Sequence, residues 1–160
     1  MPENIKIVVQ NRKARRDYFL VDTYEAGVEL KGTEVKSLRL GNANMADCYA
    51  RVEDNEVFLH NLHIGEYTEA NRFNHDPVRK RRLLLHRHEI DRLRVRTEEK
   101  GLTLVALKLY FKRGRAKVEL ALARGKREYD RRRDIAKRDA QREMRRELKV
   151  RETGFRNQTL

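Results

Sequence analysis

The sequence predicts a mainly β fold: a small closed antiparallel barrel interrupted by two or three short helices and followed by a cationic tail. Three observations carry that expectation. Short apolar alternations recur with turn residues between them, two stretches of helical spacing separate the strand signals, and the strand pattern stops at Gly125. With 160 residues, 39% of them charged and 39% apolar, the chain can form one modest core plus an appendage.

A formal net charge of +13 and an isoelectric point near 10.2 describe a protein attracted to phosphate-rich surfaces. A basic membrane binder would show a strong amphipathic helix with bulky apolar residues, or a lipidation signal, and neither is present. Cys48 is the single cysteine, which excludes an intramolecular disulfide and any CxxC metal pair. The segment Met1-Pro2-Glu3-Asn4-Ile5-Lys6 has no apolar signal region, and no apolar run approaches spanning length, so a cytoplasmic location is expected.

Lys6, Arg12, Lys13, Arg15 and Arg16 make residues 1–16 a basic N-terminal segment, broken by Ile7-Val8-Val9. It reads either as a solvated, partly disordered terminus or as an RNA contact. Tyr18-Phe19-Leu20-Val21 reads as a strand, and Glu25 to Leu30 continues it, with Gly27 suggesting a bulge or sharp bend. Thr33 is the expected N-cap of a short helix through Val35 and Leu38, which Gly41 ends in the left-handed conformation.

Residues 48–52 and 57–64 are expected to form a hairpin about Asp54-Asn55. His60 and His63 lack a third ligand nearby, so hydrogen-bonded or exposed imidazoles are the reading there and no metal is expected. After a polar loop and the basic run Arg79-Lys80-Arg81-Arg82, Leu83-Leu84-Leu85 is short enough for a buried strand. Ile90 and Leu93 then mark a helix starting at His86 or Arg87, with Glu89 and Asp91 in its first turn and Gly101 closing it. The clearest alternation runs from Thr103 to Phe111 and resumes at Val118, Leu120 and Leu122 after the turn at 112–115. Lys108, Lys117 and Glu119 occupy polar faces. The total is about six or seven short strands with helical interruptions, a pattern closest to the five-stranded oligonucleotide-binding (OB) barrel.

Residues 17–124 thus make an OB-like body, and residues 125–160 a tail. From Lys126 to Leu160 there are 13 Lys and Arg against 7 Asp and Glu, a net of +6, with too few apolar side chains for a core. Ala136, Ala140, Met144 and Leu148 form a narrow helical stripe, and Asp134 with Arg138 and Glu147 with Arg151 are i, i+4 pairs in the favourable order. Two alanines bury little, so the tail is expected to be disordered when free and helical when bound to RNA. Tyr129, between Glu128 and Asp130, is the aromatic best placed to stack on a base.

Signatures of catalysis are missing: GxxxxGK[ST], GxSxG and HExxH do not occur. His86, His88 and Glu89 could serve a ribonuclease as acid and base, and a ribosomal structural protein is a further alternative. No cofactor is expected.

Three stretches together carry a resemblance to a known family. They are Asn11-Arg12-Lys13-Ala14-Arg15-Arg16-Asp17-Tyr18-Phe19 with Tyr24-Glu25-Ala26-Gly27, then Gly32-Thr33-Glu34-Val35-Lys36-Ser37-Leu38-Arg39, then Gly125-Lys126-Arg127-Glu128-Tyr129-Asp130-Arg131-Arg132. Asp76-Pro77 and Arg82-Leu83-Leu84-Leu85 fit as well. The chain resembles the small protein B (SsrA-binding protein) family, from about Asn11 to Leu148. The resemblance implies an OB-type barrel that binds the transfer-RNA-like domain of transfer-messenger RNA, and a tail that enters the decoding centre and the empty messenger channel of stalled ribosomes. It implies an adaptor and no catalysed reaction.

By that likeness Tyr18, Glu25, Leu84 and Lys117 contact RNA, and Lys36 and Arg39 from the second stretch complete the expected set. Gly125, Lys126, Arg127, Tyr129, Asp130, Arg131, Arg132, Ile135, Lys137, Arg138 and Met144 are the expected ribosome-facing residues. The implied partners are transfer-messenger RNA, the stalled 70S ribosome with its small-subunit RNA, and elongation factor Tu carrying the alanylated RNA; the chain is expected to be a monomer. Arg127 and Arg131 stand where lysine is common in the family, which keeps the charge and changes donor geometry. Tyr129 stands where several relatives have histidine, so stacking is the shared property. Gly154 to Leu160 lies beyond the matched part.

Overall fold

Ile7, Val8 and Val9, the apolar break in the basic terminus, lie in a strand, β1 (Ile5–Gln10), and a short helix, α1 (Arg12–Asp17), follows. The computed structural model describes residues 4–68, 74–98, 101–126 and 128–156, with tail side chains at 126, 132–133 and 135–150. Asn11 fixes the β1–α1 junction. Its backbone N–H donates to Leu107 O at 2.7 Å and its Nδ2 to Ala106 O at 3.1 Å, while its Oδ1 accepts from the Ala14 N–H.

The next elements are β2 (Tyr18–Val28), α2 (Gly32–Arg39), β3 (Ala43–Asn44), β4 (Tyr49–Glu53) and β5 (Glu56–His60). β6 (His63–Ile64), β7 (Arg81–Leu84), α3 (Arg87–Thr97), β8 (Leu102–Lys112) and β9 (Arg115–Gly125) complete the first unit, Met1–Gly125. The sequence reading missed β1, which pairs with β8 where a solvated, partly disordered terminus was one expectation, as well as α1 and the small β3–β6 ladder.

Seven strands form one antiparallel sheet in the order β1-β8-β4-β5-β7-β2-β9, and β8 pairs β9 as well. The pairings therefore return on themselves through six strands. β8 makes this possible by serving three neighbours: β4 at Leu104 and Val105, β1 between Lys108 and Lys112, and β9 along its whole length. Both expected tight hairpins are present. Asp54 (φ 49°) with Asn55 (φ 64°) turns β4 into β5, and Arg113 (φ 54°) with Gly114 (φ 75°) turns β8 into β9; paired positive φ values match the twist of the flanking strands.

Tyr24, Ala26, Val57, Leu59, Leu83, Leu104, Leu109, Val118, Leu120 and Leu122 are among the side chains buried inside this sheet. A smaller cluster, Ala14, Val105, Leu107, Ala121 and Ala123, sits on the opposite face under α1, with Tyr18 packed against it.

Four local expectations are corrected. The bulge in β2 is at Val21, where the register shifts between Leu20 and Asp22, and not at Gly27. Gly27 instead accommodates its neighbour, since a Cβ there would stand 3.2 Å from Leu84 Cβ. The N-cap of α2 is Lys31, not Thr33. Its backbone N–H donates to Glu34 Oε1 at 2.8 Å, while the Thr33 hydroxyl is engaged with His75 Nδ1 at 2.9 Å. The Leu83-Leu84-Leu85 strand starts earlier, at Arg81, and is not wholly buried: Arg81 and Leu83 point inward and Arg82 and Leu84 outward. The strand after the Asp54-Asn55 turn ends at His60, because Asn61 takes φ 63° and restarts the chain as β6.

The second unit, Lys126–Leu160, contains one helix, α4 (Glu128–Arg156), whose side chains from 135 to 150 are exposed. Exposed Ile135, Met144, Leu148 and Val150 interrupt its charged surface.

Candidate nucleic-acid interface

The bulge at Val21 decides which residues share a face. Tyr18 and Glu25 are seven positions apart, so strict alternation would place them on opposite sides of the sheet. One extra residue in the strand reverses that parity. Tyr18, Leu20, Thr23, Glu25 and Gly27 accordingly pair with Gly125, Ala123, Ala121, Glu119 and Lys117, an unbroken every-other-residue series on β9. Cross-strand partners lie on the same face. Gly27 also pairs with Leu84 on β7, so Leu84, Gly27 and Lys117 form one rung across three strands. The four residues carried over from the family, Tyr18, Glu25, Leu84 and Lys117, therefore lie on one outer face.

Glu25, Leu84 and Lys117 come closer still. They line one open depression of about 710 Å³ together with Arg82, His86, Arg87 and the backbone leading into α3. Leu84 is 51% exposed there and offers apolar surface to the depression. Lys112, Arg113 and Arg115 from the β8–β9 turn flank Glu25 and Lys117 on the other side.

Glu25 is a carboxylate amid cations. The phenol of Tyr110 donates to its Oε2, and Lys112 Nζ lies 3.4 Å from both oxygens. The Tyr110 hydrogen bond is the largest influence on its acidity. Partial burial opposes it, Lys112 and Lys117 add to it, and the net effect holds Glu25 below the usual carboxylate range. An ionised carboxylate repels phosphate, so its use on a nucleic-acid surface is as an acceptor for base N–H groups.

Tyr18 lies at the far end of the face, half-buried, lining a second depression with Asn11, Lys13, Asp47 and Tyr49. Lys36 and Arg39 are not drawn into either depression. Both are exposed on α2, where Lys36 Nζ stands 5.5 Å from the Tyr67 ring centre.

What holds α2 in place was not foreseen. Glu34 is fully buried and receives Arg81 Nε at 2.6 Å, Arg79 Nε at 3.2 Å and the Lys31 N–H. Arg81, also fully buried, spends its remaining donors on Leu62 O (2.6 Å), Arg79 O (3.0 Å) and Pro77 O (3.1 Å). Burial alone would raise the Glu34 pKa, but the hydrogen bonds from Arg79, Lys31 and Arg81 outweigh it and the net shift is downward. His75 Nε2 lies 2.9 Å from Ile64 O, which can only accept, so this nitrogen carries the hydrogen. The Ser37 hydroxyl donates to Gly65 O at 2.6 Å. Glu34, Ser37 and Leu38 thus turn one side of α2 inward and leave Lys36 and Arg39 outside. The only sequence signal was the i, i+3, i+4 spacing of those three residues.

Of the histidines weighed for metal or catalysis, His60 stacks on Tyr49 at 5.1 Å and bonds Glu53 Oε1 at 3.0 Å, and His63 is exposed. Glu89 accepts from the His86 backbone N–H at 3.3 Å, a helix-start contact. No group of three or more metal-ligating side chains occurs among the described residues. No described helix is long and apolar enough to cross a membrane.

In the tail, Gly125 ends β9 and Lys126 follows it; Arg127 lies outside the described residues. Tyr129, Asp130 and Arg131 fall within the backbone of α4, and Arg132, Ile135, Lys137, Arg138 and Met144 expose their side chains along it.

Comparison with known proteins identifies the family. The family described as SmpB protein matches residues 8–150. The SsrA-binding protein of Moorella thermoacetica is 61% identical over 153 residues, covering 95% of this chain and 99% of the relative. That of Caldanaerobacter subterraneus subsp. tengcongensis is 57% identical over 153 residues, covering 96% and 97%. A solved structure described as "tmRNA-SmpB: a journey to the center of the bacterial ribosome" matches with a TM-score of 0.64 at 53% identity, covering 79% of this chain and 93% of that one. A family match over nearly the whole length, with relatives this close, means that the chain belongs to the SmpB family.

Proposed function

We propose that this chain is an RNA-binding adaptor without catalytic activity, which grips the tRNA-like domain of transfer-messenger RNA and brings it to stalled ribosomes in trans-translation. The observation that carries the reading is the outer face of β7, β2 and β9, where Tyr18, Glu25, Leu84 and Lys117 line up in register. Such a face offers a cation for phosphate, an apolar side chain for a base and a carboxylate for base N–H donors. The relatives named SsrA-binding proteins and the solved tmRNA-SmpB structure support the choice of RNA.

In this reading the circuit of six strands is an OB-like closed barrel spanning residues 17–124, with residues 1–16 as a basic N-terminal segment. Lys36 and Arg39 add phosphate contacts. Residues 125–160 are the ribosomal arm, disordered when free and helical along the decoding centre and empty messenger channel, against small-subunit RNA of the 70S particle. Delivery occurs as a monomer in the cytoplasm, in a complex with elongation factor Tu and the alanylated RNA.

The test compares the full chain with a chain ending at Gly125 for transfer-messenger RNA affinity and for alanine transfer on stalled ribosomes. Retained affinity with lost transfer is the expected result. Loss of all affinity on truncation, with the β signature intact by circular dichroism, overturns the division of labour.

A further inference from the structure

The strand that presents Leu84 continues past its end into a pair of imidazoles. His86 is two residues beyond Leu84 and lines the same depression, immediately before α3. The rings of His86 and His88 are stacked, 5.5 Å between centres and 10° between planes, and both residues are exposed. A stacked pair left in water buries little apolar surface, so hydrophobic burial does not account for it. Its effect is to present a flat, preoriented π surface at the rim, beside a leucine that is itself half in solvent.

The neighbouring arginines are each partly engaged. Arg82 Nε pairs with Glu29 at 2.7 Å, and Arg87 donates to Asn55 O at 2.9 Å with Asp91 3.7 Å away. This stretch of rim thus sets apolar and π surface beside partly paired arginines, and that surface is the chemistry of a base platform.

We propose that His86, backed by His88 and flanked by Leu84, stacks on an unpaired base of the bound RNA and so extends the interface past Glu25, Leu84 and Lys117 onto the start of α3. This rests on the RNA-binding reading above. The base lies over Leu84 and the imidazole, while the phosphate beside it falls toward Lys117. Stacking on a flat π face is sequence-tolerant, so the platform adds affinity without demanding one base.

The experiment measures affinity for the transfer-messenger RNA tRNA-like domain as a function of salt for the full chain and its His86→Ala, His86→Phe, His88→Ala and Lys117→Ala variants, at pH 6 and pH 8. Thermal melts check that each is folded. His86→Ala is expected to weaken binding about tenfold with the salt slope unchanged, His86→Phe to restore it, and His88→Ala to give a smaller loss. Lys117→Ala is expected to lower the slope by about one. If Lys117→Ala weakens binding and His86→Ala does not, the platform is wrong while the interface stands. If His86→Ala lowers the salt slope, or the loss occurs only at pH 6 and phenylalanine fails to rescue, the ring is a cationic phosphate contact and the stacking proposal is overturned. If neither Lys117→Ala nor His86→Ala changes affinity, the interface itself has been misplaced.

Discussion

The phenol of Tyr110 reaches over β9 to donate to the Glu25 carboxylate, so that an otherwise buried tyrosine holds an exposed acid in place at the centre of a cationic face. The relationship makes Tyr110 a positioning residue for Glu25. Tyr110→Phe removes the largest influence that lowers the Glu25 pKa, and the carboxyl should then titrate at higher pH, closer to its ordinary value of 4.5. Because the folded-state value lies below the unfolded one, the contribution of Glu25 is present above the ordinary value and fades as pH falls through the folded one. NMR titration of the Glu25 carboxyl checks the shift. An unchanged midpoint would mean that Lys112 and Lys117 suffice to fix the group. With 39% of the Glu25 side chain exposed, solvent screening should keep the effect on stability small.

Glu34 and Arg81 make the opposite case, an ion pair with both side chains wholly out of solvent. Glu34→Gln or Arg81→Met strands the partner, at a cost of about 3–5 kcal/mol, while the double substitution should cost less than the sum of the two. Urea unfolding of the four proteins closes the cycle. The Glu34 pKa is lowered, so this share of stability is full above the ordinary carboxylate range and is lost as pH falls through the depressed value. Acid unfolding of Glu34→Gln should accordingly be less steep than that of the parent.

Lys36 and Arg39 stand on α2, away from the rung formed by Leu84, Gly27 and Lys117. If both meet phosphate, replacing the pair with alanine lowers the slope of log affinity against log salt by about two. Filter binding between 50 and 200 mM salt, as an order-of-magnitude range, measures this. An unchanged slope would assign α2 to some other surface.

The side chains of α4 from 135 to 150 are exposed, and the stripe Ala136, Ala140, Met144, Leu148 offers little to bury. A peptide of residues 126–160 should therefore be only partly helical by circular dichroism, melt without a cooperative transition and gain helix on the ribosome. Tyr129→Ala should leave the affinity for free RNA nearly unchanged and impair alanine transfer. Equal damage to both would contradict this.

Cys48 is 2% exposed, and burial pushes its thiol up to about 12. It should react with a disulfide reagent at pH 8 only as fast as the protein opens. Rapid modification of the folded chain would show that the second depression, which Cys48 helps line, admits reagents.

Much of this architecture was legible because its signals were local. The β8–β9 alternation, both hairpin turns, the cores of α2 and α3 and the stop at Gly125 follow from periodicity and turn chemistry within a dozen residues. The bulge at Val21 was not legible. Nothing in Leu20-Val21-Asp22 marks an extra residue, and a period-two count puts Tyr18 on the wrong side of Glu25. The burial of Arg81 was hidden for a related reason. Within Arg79-Lys80-Arg81-Arg82 the four cations look alike; Glu34, 45 to 47 positions earlier, engages both Arg79 and Arg81, and only burial, 0% exposed for Arg81 against 25% for the Arg79 side chain, singles one out. The resemblance named Tyr18, Glu25, Leu84 and Lys117 one by one; their common face required the register.

Among the described strands β1 pairs with β8 alone, so its far side is the outer margin of a sheet whose remaining six strands complete one another. Margins of this kind recruit strands from other molecules and seed aggregates, and β1 carries exposed Ile5 and Ile7. Two features blunt the hazard: Lys6 sets a charge between the isoleucines, and the irregular step between Ile7 and Val9 bends the ladder out of the flat geometry that a templated strand requires. Trimming the chain back to Asn11 would transfer the hazard inward, baring the flank of β8 between Lys108 and Lys112 to self-association.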